Sequence, residues 1–191
     1  MLQINSKDRP VERNLTLVAL FAALIAALAL IPQFSLGFGV PITAQSLGIM
    51  LCGTVLGAKR GALAVLLFLL LVALGLPLLA GGRGGLGAFM LPSSGFLIGF
   101  PVAAFVTGLI VEKWRSASLT VAAGVASIIG GVFVLYIFGI AGLAIALKKP
   151  FIEAAMLVMI FIPGDIIKAV LAAFITNGLA KARPASVLSR T

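Results

Sequence analysis

The stretch Ser118–Ala146, SLTVAAGVASIIGGVFVLYIFGIAGLAIA, runs for 29 residues without one charged side chain. About 20 apolar residues in a helix cross the hydrocarbon core of a bilayer, so this segment is long enough for a tilted span with an outer extension. Lys148, Lys149 and Pro150 close it on one side. Glu112, Lys113, Trp114 and Arg115 separate it on the other from a second apolar run, Gly95–Val111. The same alternation of apolar runs and short charged breaks extends over the whole chain. Of 191 residues, 62% are hydrophobic, 22 are Gly and only 10% are charged, where a soluble domain carries about 25% charged residues. The mean hydropathy is +1.26. A soluble protein of this size exposes too much surface to hide that much apolar side chain. The composition therefore excludes an ordinary globular enzyme, a disordered tail and a secreted cystine-rich module.

The fold expected is all-α: a polytopic integral membrane protein with six transmembrane helices and no room for a soluble domain. A polar N-terminal tail, 1–13, precedes spans at about 15–32, 43–58, 62–76, 95–111, 118–143 and 165–180. The first apolar run is long for a signal peptide and no cleavage region follows it, so it reads as a span closed by Pro32. Lys59, Arg60 and Gly61 are expected to form a tight turn between the second and third spans. Residues 77–93, PLLAGGRGGLGAFMLPS, form a Gly-rich outer loop. The stretch Phe151–Thr176 is apolar but interrupted by Pro163, Gly164, Asp165 and Lys168. It is expected to split into an outer segment, 150–163, and a last span that Asp165 caps by accepting N–H groups of the first turn.

Orientation follows from Lys and Arg in the short loops. One side collects Lys7, Arg9, Arg13, Lys59, Arg60, Lys113, Arg115, Lys181, Arg183 and Arg190; the other has Arg83, Lys148 and Lys149, with Lys168 just below it. Both termini are therefore expected in the cytoplasm. The net charge of +9, from 14 basic and 5 acidic residues, would suggest nucleic acid in a soluble protein; here it sets topology, and no nucleic-acid partner is expected. There is no His, and Cys52 is the only Cys, so no disulfide, metal site or cofactor is expected. The stretch GTVLGAKR, Gly53–Arg60, has a faint P-loop flavour. Its spacing is wrong, and no Ser or Thr follows Lys59.

Polar groups inside hydrocarbon are expensive and mark function by default. Asp165 and Lys168 lie three residues apart on one helical face. They read either as an internal ion pair or as a binding site offering acceptor and donors to a small polar head. Pro41, Thr43 and Gln45 open the second span; the Gln45 amide either meets a ligand or satisfies loop backbone. Arg83, within GGRGG, either receives a carboxylate or marks a solvated turn. Ala19, Ala23 and Ala27 repeat at spacing four in the first span, with Ala22, Ala26 and Ala29 beside them. Such small-residue stripes let helices approach closely, within the subunit or against a partner. Gly53 with Gly57, and Gly95 with Gly99, read as internal packing.

Three segments, PITAQSLGIMLCGTVLGAKRGALA, GLPLLAGGRGGLGAFMLPSSGFLIGFPVAAF and PFIEAAMLVMIFIPGDIIKAVLAA, taken in order, resemble the BioY family over about Leu15–Lys181. These are biotin-binding substrate-capture subunits (S components) of energy-coupling factor transporters. The resemblance implies a six-helix fold with biotin near the extracellular surface, and Asp165 and Lys168 hydrogen-bonding its ureido ring. Thr43, Gln45, Arg83 and Phe96 fall on the same candidate site. The resemblance also implies that the Ala19, Ala23 and Ala27 stripe docks on a transmembrane coupling subunit joined to two ATPases, all embedded in or bound to membrane lipid. The chain departs from the family pattern where some members carry Asn and this one has Gly81. It departs again where Gly-Pro-Thr-Gly-Gly-Tyr reads LPSSGF, Leu91–Phe96, so that the phenolic hydroxyl is absent. Rival readings are an S component for another vitamin such as riboflavin or thiamine, a membrane enzyme acting on lipid, and a channel or structural bundle. An enzyme is disfavoured because five acids and no His leave few general bases. A channel is disfavoured because the cytoplasmic halves of the spans hold almost no polar side chains.

Overall fold

The computed structural model describes residues 9–34 and 37–190. The first eight residues of the expected tail, with Lys7, lie outside the described residues. The chain is a multi-pass, all-α membrane protein. Its helices are α1 (Arg9–Leu28), α2 (Gln45–Leu56), α3 (Ala58–Ala73), α4 (Ser94–Lys113), α5 (Leu119–Ile128), α6 (Leu135–Leu147), α7 (Phe151–Val158) and α8 (Ile162–Ala182). A π-helical turn, Ile129–Val134, joins α5 to α6, and a 3-10 turn, Met159–Phe161, joins α7 to α8. Two isolated β-bridges, Phe34 with Ile42 and Leu79 with Arg83, are the extended pairings among the described residues.

Among the described residues, four helical segments are long and apolar enough to cross a membrane: Val11–Leu28, Ser94–Lys113, Leu119–Leu147 and Phe151–Ala182. The 12 residues of α2 and the 16 of α3 rise about 18 and 24 Å, short of the roughly 30 Å hydrocarbon core. Their short length follows from where the chain turns between them. It reverses at Gly57, not at the expected Lys59–Gly61, which lies inside the start of α3. Gly57 takes a left-handed φ of +84°, which glycine adopts without steric cost. The carboxylate of Glu112, from the far end of α4, stands where a Gly57 side chain would project. Its Oε1 accepts the Ala58 N–H at 2.8 Å and so caps α3 from another helix.

Packing centres on α4, which lies against α2, α3 and α6. Lipid supplies no hydrophobic drive between helices, so close backbone approach through small residues has to hold them. Gly95 of α4 faces Gly142 of α6 so closely that a Cβ on either would meet the backbone of the other. Gly53 likewise lies against Ala104 and Thr107 of α4.

In the last third of the chain α7 gives way to α8 through the 3-10 turn Met159–Phe161, just before Pro163. Phe151–Ala182 is helical throughout, and Pro163 sits in the first positions of α8, where its missing N–H has no partner to lose. Asp165 does not cap α8: Phe161 occupies the cap position without a side-chain bond, and the Asp165 carboxylate turns inward. Beyond α8 the chain doubles under the bundle. Val187 and Leu188 are buried, the Ser189 N–H donates to Val55 O at 3.1 Å, and the Arg190 guanidinium donates to Trp114 O at 3.1 Å and Ala117 O at 3.3 Å.

Because Glu112 is the acceptor for the start of α3, Glu112→Ala is expected to destabilise the protein by about 0.5–2 kcal/mol. Glu112→Gln, which keeps a carbonyl oxygen in place, should cost less. Thermal unfolding in detergent reads both.

Candidate functional site

The N-terminal ends of α2, α4 and α8 and the C-terminal side of the π turn converge at one end of the bundle. Arg60, Lys113, Arg115 and Leu188 of the C-terminal segment lie at the other. Between the converging ends is a cavity of about 70 Å³. Its lining combines Thr43, Gln45, Ser46, Arg83, Asp165 and Lys168 with an apolar wall that includes Phe96, Leu97, Phe100, Leu135 and Phe161.

Asp165 and Lys168 form the ion pair that their spacing suggests, at 2.9 Å, with both side chains mostly buried. The carboxylate takes three donors. Oδ1 accepts from Lys168 Nζ and from Ser46 Oγ at 3.1 Å; Oδ2 accepts from Tyr136 Oη at 2.7 Å. Lys168 Nζ donates to Thr43 O at 2.7 Å and Ser46 Oγ at 2.9 Å besides Asp165, which uses its three protons. Three separate parts of the chain, 43–46, Tyr136 and the start of α8, thus meet on one charge pair. A lone charge at this depth is strongly disfavoured, and pairing together with complete hydrogen bonding is what makes the buried position tolerable.

Phe96 stands in the wall, edge-on to Tyr136 at 6.3 Å between ring centroids and to Phe161 at 6.2 Å, a favoured aromatic geometry. Gly139 leaves the room its ring occupies; a Cβ there would strike it.

Gln45 is buried and its amide is used by backbone. Nε2 donates to Ile25 O at 3.2 Å and Leu78 O at 3.1 Å, and Oε1 accepts the Ala80 N–H at 3.0 Å. The loop-holding alternative describes these bonds, with α1, α2 and the Gly-rich loop tied together beside the cavity. Thr43 contributes its carbonyl to Lys168, while its hydroxyl accepts the Gln45 N–H at 3.3 Å. Arg83 lines the cavity and anchors through Nε to Ala80 O at 3.0 Å. Burial pulls its guanidinium below its ordinary pKa, and it stays cationic at neutral pH. Gly81 has a left-handed φ of +77° and is not among the cavity's lining residues. The Gln33 side chain fills the space a Cβ at 81 would need. Ala19, Ala23 and Ala27 do not line this site and are exposed on the outward face of α1, while Phe21, Ala22 and Ile25 on its opposite face are buried. The stripe is therefore not an internal packing surface among the described residues.

Ser46, Tyr136 and Phe161 were not singled out from the sequence. Tyr136 had a signal: it is the sole Tyr of the chain, in the middle of an uncharged segment, where a hydroxyl needs a partner. Ser46 directly follows Gln45 and gave none. Among the described residues no three of His, Cys, Asp and Glu gather as metal ligands. What the cavity offers is a carboxylate, an ammonium and a hydroxyl on one wall, aromatic and aliphatic surface on another, and a guanidinium at the rim.

The sequence profile of the BioY family matches residues 4–185. A biotin transporter BioY from Rhodobacter capsulatus is 53% identical over 188 residues, covering 94% of this chain and 99% of the relative. A probable biotin transporter BioY from Bacillus subtilis is 40% identical, over 86% of this chain and 89% of that one. The crystal structure of an S-component for biotin from an ECF-type ABC transporter superposes with a TM-score of 0.85 at 32% identity, covering 94% of this chain and 95% of the other.

The Tyr136 hydroxyl is the sole donor to Asp165 Oδ2 among the described residues. Tyr136→Phe is expected to lower stability by about 1–3 kcal/mol, the cost of a buried acceptor left without its donor. An unchanged unfolding midpoint would show that water replaces the phenol.

Proposed function

The chain belongs to the BioY family, and from that premise we propose that it is the substrate-binding subunit of an energy-coupling factor transporter and captures biotin for uptake. Membership makes it a transport protein and not an enzyme. The observation that carries the ligand reading is the Asp165–Lys168 pair in the wall of a largely apolar cavity. The ureido ring of biotin is planar and uncharged, with two N–H donors and one carbonyl. A carboxylate accepts the former and an ammonium donates to the latter, and charge-assisted bonds of this kind are the strong ones. The fused rings and aliphatic tail match the wall of Phe96, Phe100 and Leu135. Arg83 is the group to meet the carboxylate of the tail. Ser46 is placed to share its hydrogen bonds with an incoming ring, since it already bridges both charges.

In this reading the six helical passes all lie within the membrane, the shorter α2 and α3 included, and the excess of Lys and Arg at the end away from the cavity puts both termini in the cytoplasm. The cavity then opens outward. The exposed row Ala19, Ala23 and Ala27 is the docking surface for a transmembrane coupling subunit, itself joined to two ATPases that drive transport.

Asp165→Ala and Lys168→Ala are each expected to weaken biotin binding by at least about 1.5 kcal/mol, a factor of roughly ten. Each variant also strands its partner's charge, so the loss should exceed one hydrogen bond, and Asp165→Asn should lose less. Calorimetric titration of folded protein decides it; wild-type affinity in Asp165→Ala would reduce the pair to a structural ion pair. Ala23→Trp should abolish co-purification with the coupling subunit and leave biotin affinity intact. Equal loss of both would make the row part of the fold.

A further inference from the structure

At the end of the bundle opposite the cavity lies an open cleft of about 550 Å³, lined by Arg60, Glu112, Lys113, Arg115 and Leu188. We infer that this cleft binds the phosphate of an anionic phospholipid from the leaflet on the side of both termini. Three cations line it against one carboxylate, and that carboxylate is committed to the Ala58 N–H. Arg115 is held in place, with Nε donating to Glu112 O at 3.2 Å and Nη1 to Arg190 O at 3.5 Å. The side chains of Arg60 and Lys113 make no hydrogen bond or ion pair among the described residues. Two cations from different helices thus face one concavity with their charge unspent.

The surroundings favour a lipid over a soluble anion. Leu63 follows Arg60 by three residues on α3, and Leu109 precedes Lys113 by four on α4, so each shares its cation's face. Both leucines are exposed, as are Leu66 and Phe105 further along. The cations therefore sit at the head of apolar tracks along which acyl chains can lie. Trp114, half exposed beside Lys113, marks the depth at which headgroups meet hydrocarbon, where Trp is enriched. Basic pockets between helices at this depth suit phosphate headgroups. Leu188 of the C-terminal segment also lines the cleft, so the segment that folds back beneath the bundle contributes to it.

The test uses the full-length protein, delipidated in a neutral detergent and supplied with equal amounts of phosphatidylglycerol and phosphatidylcholine of the same chain length. Native mass spectrometry counts the lipid retained. Phosphatidylglycerol should be retained about fivefold or more over phosphatidylcholine. Arg60→Gln combined with Lys113→Gln should erase that preference while leaving the unfolding midpoint of the lipid-free protein unchanged. If the double variant does not fold, the wild-type preference is measured again at high salt, which screens exposed charge and should remove it. Equal retention of the two lipids, an undiminished preference in the folded double variant, or a preference indifferent to salt would overturn the inference. So would displacement of phosphatidylglycerol by an equal concentration of glycerol phosphate, because the occupant would then be a soluble anion.

Discussion

A carboxylate and an ammonium buried between helices have to be satisfied by the protein itself, and the arrangement around Asp165 and Lys168 is built to that requirement. The pair is three residues apart on α8, but its remaining partners come from Thr43 and Ser46 at the start of α2 and from Tyr136 at the start of α6. Each of those elements is thereby fixed relative to α8 at one end of the bundle. The same groups form the polar wall of the cavity, so the bonds that hold the helix ends together are also the ones a ligand would meet. Exchange of one internal partner for a ligand atom keeps the number of bonds nearly constant, and that is how a buried charge pair can bind a neutral molecule without being exposed to water.

Much of this was visible in the sequence. Composition alone establishes the membrane class, and a pair of opposite charges at helical spacing in an apolar run reads as an ion pair or a binding site, of which the ion pair is seen. What was not visible depends on residues distant in sequence. The turn between α2 and α3 was expected at Lys59–Gly61, because charge marks loops. It falls at Gly57, because Glu112, more than fifty residues on, occupies the space beside it and caps α3. Pro163 read as a break; α7 and α8 meet at a 3-10 turn just before it, and a proline in the first turn of α8 forfeits no hydrogen bond. Asp165 read as a cap, but a carboxylate offered a phenol, a hydroxyl and an ammonium gains more than one offered free N–H groups. The amide of Gln45 had two readings; the backbone groups of Ile25, Leu78 and Ala80 take both its N–H donors and one acceptor site of its oxygen.

The two ends of the bundle are built differently. At the cavity end, irregular segments such as the Gly-rich loop are held by single side chains, Gln45 and Arg83, that bond to their carbonyls. At the other end the backbone is short between helices and the C-terminal segment returns to cover it, with Val187 and Leu188 buried and Arg190 bonded to carbonyls after α4. That end is braced by chain connectivity and by carbonyl contacts, and its charged side chains remain at the rim. The outward face of α1 belongs to neither end. Its exposed alanines, Ala19, Ala23 and Ala27, are interspersed with large exposed side chains such as Leu15 and Leu20.

The π-helical turn Ile129–Val134 fixes the phase of everything after it. Adding or removing one residue in a helix rotates the remainder by about 100°. A chain with one residue fewer between 129 and 134 would have nearly the same length and hydropathy and would be counted as the same membrane segment. Its phenol would then leave the face that meets Asp165, and the glycines at 139 and 142 would no longer lie against Phe96 and Gly95. Selection on this site therefore acts on a residue count as well as on residue identity. Relatives that keep every polar group but differ by one residue in this turn would have lost the site through an indel that leaves no mark on composition.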